Sequence, residues 1–123
     1  MSASRSPKDP EFELFDRFPL THNDSDVTAR VAAAFVAHFG KRSTALPMQT
    51  ASGDFSDIPS ALGVRYTYWG LGGIDPDVYR RAEVAARAQG DIPVNDSATF
   101  APVIQPTLDA GTEAVVVVAL EWL

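Results

Sequence analysis

The chain has 123 residues, 46% of them apolar and 21% charged, a globular composition that excludes wholesale disorder. Ten Lys and Arg against sixteen Asp and Glu leave a net charge of −6, which argues against general nucleic-acid or anionic-membrane binding, since phosphate recognition needs positive charge. The absence of cysteine excludes a disulfide framework, a thiolate zinc site and a cysteine nucleophile together.

Residues 1–10, with Ser2, Ser4, Ser6, Pro7 and Pro10, read as a loose tail without the apolar core of a secretory signal. No apolar run reaches the ~18–20 residues of a membrane span, so a cytoplasmic protein is the expectation. Phe12, Leu14 and Phe15, with Glu11, Glu13 and Asp16 around them, alternate as a half-buried strand would. The polar cluster Asn23–Asp26 supplies short acceptors for a helix start, and Val27, Val31, Ala34 and Phe35 repeat at helical spacing up to Phe39, with Gly40 placed to cap the helix.

Thr44 to Met48, interrupted by Pro47, is expected as a short edge strand. Thr50 to Asp57 reads as a loop, and Ile58, Ala61 and Leu62 as one helical turn before Gly63. Val64 to Trp69, β-branched and aromatic in alternation, is the strongest strand pattern in the chain and runs into Gly70-Leu71-Gly72-Gly73. Asp75-Pro76-Asp77 starts a helix expected over 77–89 with Gly90 as its end. Residues 91–106 read as a long loop. Leu108 to Leu123 divides between strand propensity (Val115 to Val118) and a helical spacing of apolar residues, and its length favours a helix.

Few residues are equipped for chemistry. His38 near a helix C-terminus is read as structural, and His22 lies in a turn; no second histidine stands at the i+4 spacing of a helical zinc pair. The glycines at 70, 72 and 73 lack the Lys-Ser/Thr of a phosphate loop and are read as a tight turn, with close approach of a ligand to the backbone as the functional alternative. Asp54 and Asp96 lie in two loops flanked by small residues and an aromatic. Either capping or coordination of a hard or borderline metal suits them, as does an acid–base pair if the fold brings them close.

These two loops also carry a family resemblance. Thr50-Ala51-Ser52-Gly53-Asp54-Phe55-Ser56 resembles the Ser-Glu-Asp-Phe stretch of the M20 metallopeptidases and related amidohydrolases. Pro93-Val94-Asn95-Asp96-Ser97-Ala98-Thr99-Phe100-Ala101-Pro102 resembles that family's Asn-His-Ser-Pro-x-Phe-Ala-Pro stretch. Phe18-Pro19-Leu20-Thr21-His22-Asn23-Asp24, Tyr68-Trp69-Gly70 and the apolar segment after Pro106-Thr107-Leu108 follow in the family's order, so the resemblance spans about Glu11 to Leu123.

The resemblance implies an α/β fold: the C-terminal part of a zinc-peptidase-like catalytic domain, its N-terminal half missing. Residues 11–22 would be the last strand of an inserted lid or dimerisation domain, and 23–123 the returning part of the catalytic domain. It implies metal-assisted amide hydrolysis of N-acyl amino acids or small peptides, with zinc or another divalent metal in the intact enzyme. Asp96 stands at the family's metal-ligand histidine, Gly53 where the family has Glu, and Ala98 in place of a loop proline. Ser52, Asp54, Asn95 and Gly70 would line the substrate loops. These departures lead to the expectation of a chain inactive alone. The alternative is a non-catalytic interaction module that self-associates as a homo-oligomer or docks on a separate N-terminal half.

Overall fold

A computed structural model describes residues 11–15, 18–50, 53–86, 90, 92–94 and 97–123. The elements in chain order are α1 (Ser25–Phe39) with a 3-10 turn at Gly40–Arg42, α2 (Asp57–Leu62), α3 (Pro76–Val84) and α4 (Ile104–Leu120). No strand occurs among the described residues, so the expected α/β architecture is corrected to an all-helical one.

The helix boundaries follow their capping residues. At α1, the Asp24 carboxylate accepts from the N–H groups of Asp26 and Val27, and Gly40 at φ 57° closes the other end, its N–H donating to Val36 O. At α2, Gly63 adopts the left-handed conformation the turn needs. At α3, Asp75 accepts from Asp77 and Val78, with Pro76 in the first turn. This helix stops at Val84 rather than near Gly90, with Ala85 as its cap and Ala86 at φ 54°. The C-terminal segment is helical as its length suggested, with a break at Gln105 (φ −114°, ψ 136°).

The missing strands have a physical cause. A strand is a pairing, and alternation of apolar residues cannot create one without a neighbouring strand. Among the described residues, 11–15 and 44–48 have no such neighbour, and Val64 to Trp69 is held by the chain just ahead of α1. Asp24 N donates to Tyr66 O (2.9 Å) and Tyr68 N to Asn23 Oδ1 (2.7 Å), while Asn23 Nδ2 donates to Tyr68 O (3.1 Å). The Asn23 amide thus imitates a backbone unit, giving and accepting at one residue.

Helix α1 is the centre of the packing. It lies against α4, and Val31 and Ala34 from α1 and Ala114 from α4 are buried. His38 Nε2 and Glu113 Oε2 pair at 3.1 Å across the two helices. Arg30 stacks on Trp122 at 4.4 Å and reaches Glu121 at 3.5 Å. On the side of residues 64–70, Phe35 meets Trp69 edge-on at 5.5 Å, and Thr67 Oγ1 lies 2.9 Å from Thr28 Oγ1. The Thr28 hydroxyl proton goes to Asp24 O at 2.6 Å, so Thr67 is the donor between the two threonines.

The core these contacts enclose is small. Among the described residues, Val31, Ala34, Ala82 and Ala114 are the buried apolar ones. Leu108, Val115, Val116 and Leu120 on α4 and Val64, Tyr68 and Leu71 of the 64–71 segment all remain largely exposed.

Candidate functional site

Of the residues singled out in the sequence, Asp54 lies in the loop ahead of α2 and Gly70 at the end of the segment 64–70. Asp54 lies in a bend whose carbonyl accepts from Asp57 N at 3.0 Å; its side chain is exposed. Phe55 turns back onto the extended segment, its ring 5.7 Å from Tyr66 and 4.8 Å from Tyr68. The Tyr66 hydroxyl accepts from His22 N at 3.1 Å, so His22 joins this cluster through its backbone. The aromatic cluster therefore fixes the loop that precedes α2, with Asp54 at its solvent side.

Gly53 has open space where a side chain would stand, so the backbone itself leaves room for the glutamate of the family pattern. Gly70 has a packing role. A Cβ there would lie 2.8 Å from Leu46 Cδ1, an approach the flexible leucine tip can relieve. A Cβ at Gly73 would lie 3.0 Å from Pro102 Cβ, and the Gly73 carbonyl accepts from Val103 N at 2.8 Å. These glycines let the 70–73 segment pass close to neighbouring chain segments, whereas the expected tight turn is not formed: no turn occurs at 70–73 and none of these glycines has a positive φ.

Ser52, Asn95 and Asp96 lie outside the described residues, and so does any statement of the distance between Asp54 and Asp96. Among the described residues, no group of three or more His, Asp or Glu side chains is arranged to hold a metal ion. The described residues alone therefore do not supply the three or more ligands of a zinc centre. Of the histidines, His38 is committed to the α1–α4 pairing with Glu113.

Two open depressions flank the site. One, of about 470 Å³, runs between Leu71 and the α4 residues Leu108, Gly111, Thr112, Val115 and Val116. The other, of about 230 Å³, lies between the start of α3 and the 92–103 segment, with Asp75, Val78, Ile92 and Thr99 among its lining. Both are lined mainly by apolar atoms and lack convergent charged groups.

Two residues of this region escaped the sequence reading. Asn23 passed as one more polar residue of a helix start, because only the folded chain brings Tyr68 to its amide. Ser56 is fully buried, and its hydroxyl has no hydrogen-bond partner among the described residues. It precedes α2 with helical backbone angles (φ −75°, ψ −11°), which withhold its Oγ from the capping position. Ser56→Ala is expected to raise stability by about 1 kcal/mol, since a buried unpaired hydroxyl is removed without a loss of contacts. Urea denaturation monitored by circular dichroism checks this; a midpoint lowered by the substitution overturns it.

No known protein-family profile matches the chain.

Proposed function

We propose that this chain is part of a metal-dependent amidohydrolase of the M20 type, acting on N-acyl amino acids or small peptides and inactive by itself. Its role in that reading is to complete a catalytic domain whose other half supplies the metal ligands. One observation favours it most: Leu108, Val115, Val116 and Leu120 on α4 and Val64 and Leu71 of the 64–71 segment leave apolar surface exposed. Burial of such faces is worth about 25 cal/mol per Å², enough to drive tight association once a complementary surface is present. Asp96, at the histidine position of the motif, would offer a carboxylate oxygen in place of an imidazole nitrogen, a ligand of shorter reach. The same exposed faces support the second reading, a non-catalytic module that docks on a separate half or on a second copy.

The test is complementation. The full chain is mixed with a separately expressed N-terminal half of an M20 amidohydrolase, and complex formation, zinc content and hydrolysis of N-acyl amino acids are measured. A one-to-one complex is expected, with Asp96→His raising bound zinc toward stoichiometry and turnover at least tenfold above the Asp96 complex. Turnover by the isolated chain with stoichiometric zinc overturns the inactivity, and failure of the two halves to associate overturns the proposal.

A further inference from the structure

Residues 66–69 alternate strictly between two surroundings. Thr67 and Trp69 face α1, through Thr28 and Phe35, while Tyr66 and Tyr68 face Phe55. This two-residue period is that of a single extended strand. In such a strand, the N–H and C=O of one residue point to the same edge and those of the next residue to the opposite edge. The edge presented by Tyr66 and Tyr68 is taken by Asn23 and Asp24. On the other edge, the backbone N–H and C=O groups of Arg65, Thr67 and Trp69 have no hydrogen-bond partner among the described residues.

We infer that this open edge binds an extended segment of a partner protein, which adds to residues 65–69 as a β-strand. The chemistry selects the occupant. Backbone donors and acceptors recurring every two residues, about 6.8 Å apart, are matched by another extended backbone and by no side chain, since an amide such as that of Asn23 serves only one residue. Val64, Tyr68 and Leu71 leave exposed apolar surface next to the edge, which the alternate side chains of an incoming strand rich in β-branched residues would cover. The net charge of −6 favours an incoming strand that carries positive charge over a second copy of this chain. This strand addition goes beyond the amidohydrolase reading and stands or falls separately from it.

The experiment uses the full chain and a ten-residue peptide of alternating Thr and Val with a Lys at each end. Two further versions of the peptide are N-methylated on the odd or on the even residues. Binding is followed by peptide fluorescence anisotropy and by exchange of the amides of Arg65, Thr67 and Trp69. The parent peptide is expected to bind and to slow exchange at these three amides, and one of the two methylated versions to bind at least tenfold more weakly. Thr67→Pro removes one donor from the open edge, and with it the Thr67 hydroxyl bond to Thr28, while leaving the Asn23 clasp in place, and proline is tolerated at a strand edge. It is expected to keep the helical circular dichroism and lose at least tenfold in affinity.

Absence of parent-peptide binding overturns the inference, as does equal binding of all three peptides or unchanged affinity in Thr67→Pro. The methylated peptides keep the test decisive should that variant unfold. A dimer in sedimentation, with the three amides protected before peptide is added, assigns the edge to a second copy and overturns the partner strand. Complementation without turnover, by contrast, leaves peptide binding untouched and counts only against the amidohydrolase reading.

Discussion

Replacing Ala114 with glutamate is expected to separate α4 from α1 and remove roughly 3 kcal/mol or more of stability. Ala114 is the buried residue of α4, at 5% exposure, and Val31 and Ala34 are its buried counterparts on α1. A carboxylate there would be taken out of water without a partner, because His38 and Arg30 already face Glu113 and Glu121. Among the described residues, no other large contact between α-helices is there to absorb the loss. Urea denaturation followed by circular dichroism and by the fluorescence of Trp69 and Trp122 measures the effect. Ala114→Ser is the control, with an expected cost of about 1 kcal/mol. Equal midpoints for wild type and Ala114→Glu would show that α4 does not depend on this packing.

The second large effect is expected at Asn23. Its amide donates to Tyr68 O and accepts from Tyr68 N, and loss of both bonds in Asn23→Ala should cost about 1–2 kcal/mol, since water can reach part of the exposed Tyr68 backbone. Asn23→Asp keeps the acceptor and loses the donor, so its stability should fall between the two. Exchange of the Tyr68 amide reports the same bond directly: fast in Asn23→Ala, slow in wild type and intermediate in Asn23→Asp. If Asn23→Ala leaves the Tyr68 amide protected, the clasp is not what holds residues 64–70 against α1.

Local rules made the helices readable. Asp24, Asp75, Gly40 and Gly63 sit where they do because helix ends need acceptors and left-handed turns, and these needs are met within a few residues. The four-valine run at 115–118 reads as strand by propensity, yet lies in a helix because length and spacing outweigh propensity. The strand expectation failed for the opposite reason. Val64 to Trp69 does alternate between two surroundings, but a sheet requires a second strand, and the groups that meet its one occupied edge come from Asn23 and Asp24. That pairing spans some forty residues, and nothing in either segment announces it.

The candidate site was legible to a lesser degree. The polar character of the loop at 53–57 was evident, whereas the use of Phe55 as its anchor on Tyr66 and Tyr68 depends on three rings meeting in space. The glycines at 70 and 73 do not form the expected turn; they lie close to Leu46 and Pro102, neighbours that no local pattern announces. Glu113 carried no signal, because its partner His38 is 75 residues away.

The dependence of α1 on distant segments bears on biosynthesis. Its first major packing partner, residues 64–70, is followed only much later by α4, whose last turn lies about eighty residues beyond Phe39. At ribosomal rates of about 5–20 residues per second, the face of α1 that receives α4 waits roughly 4–16 s after its own synthesis. During that interval Val31 and Ala34 form an uncovered stripe on a nascent helix, available to chaperones or to wrong partners. Translation speed between codons 40 and 120 is therefore a variable in the yield of correctly folded chain, and slowing it should increase aggregation.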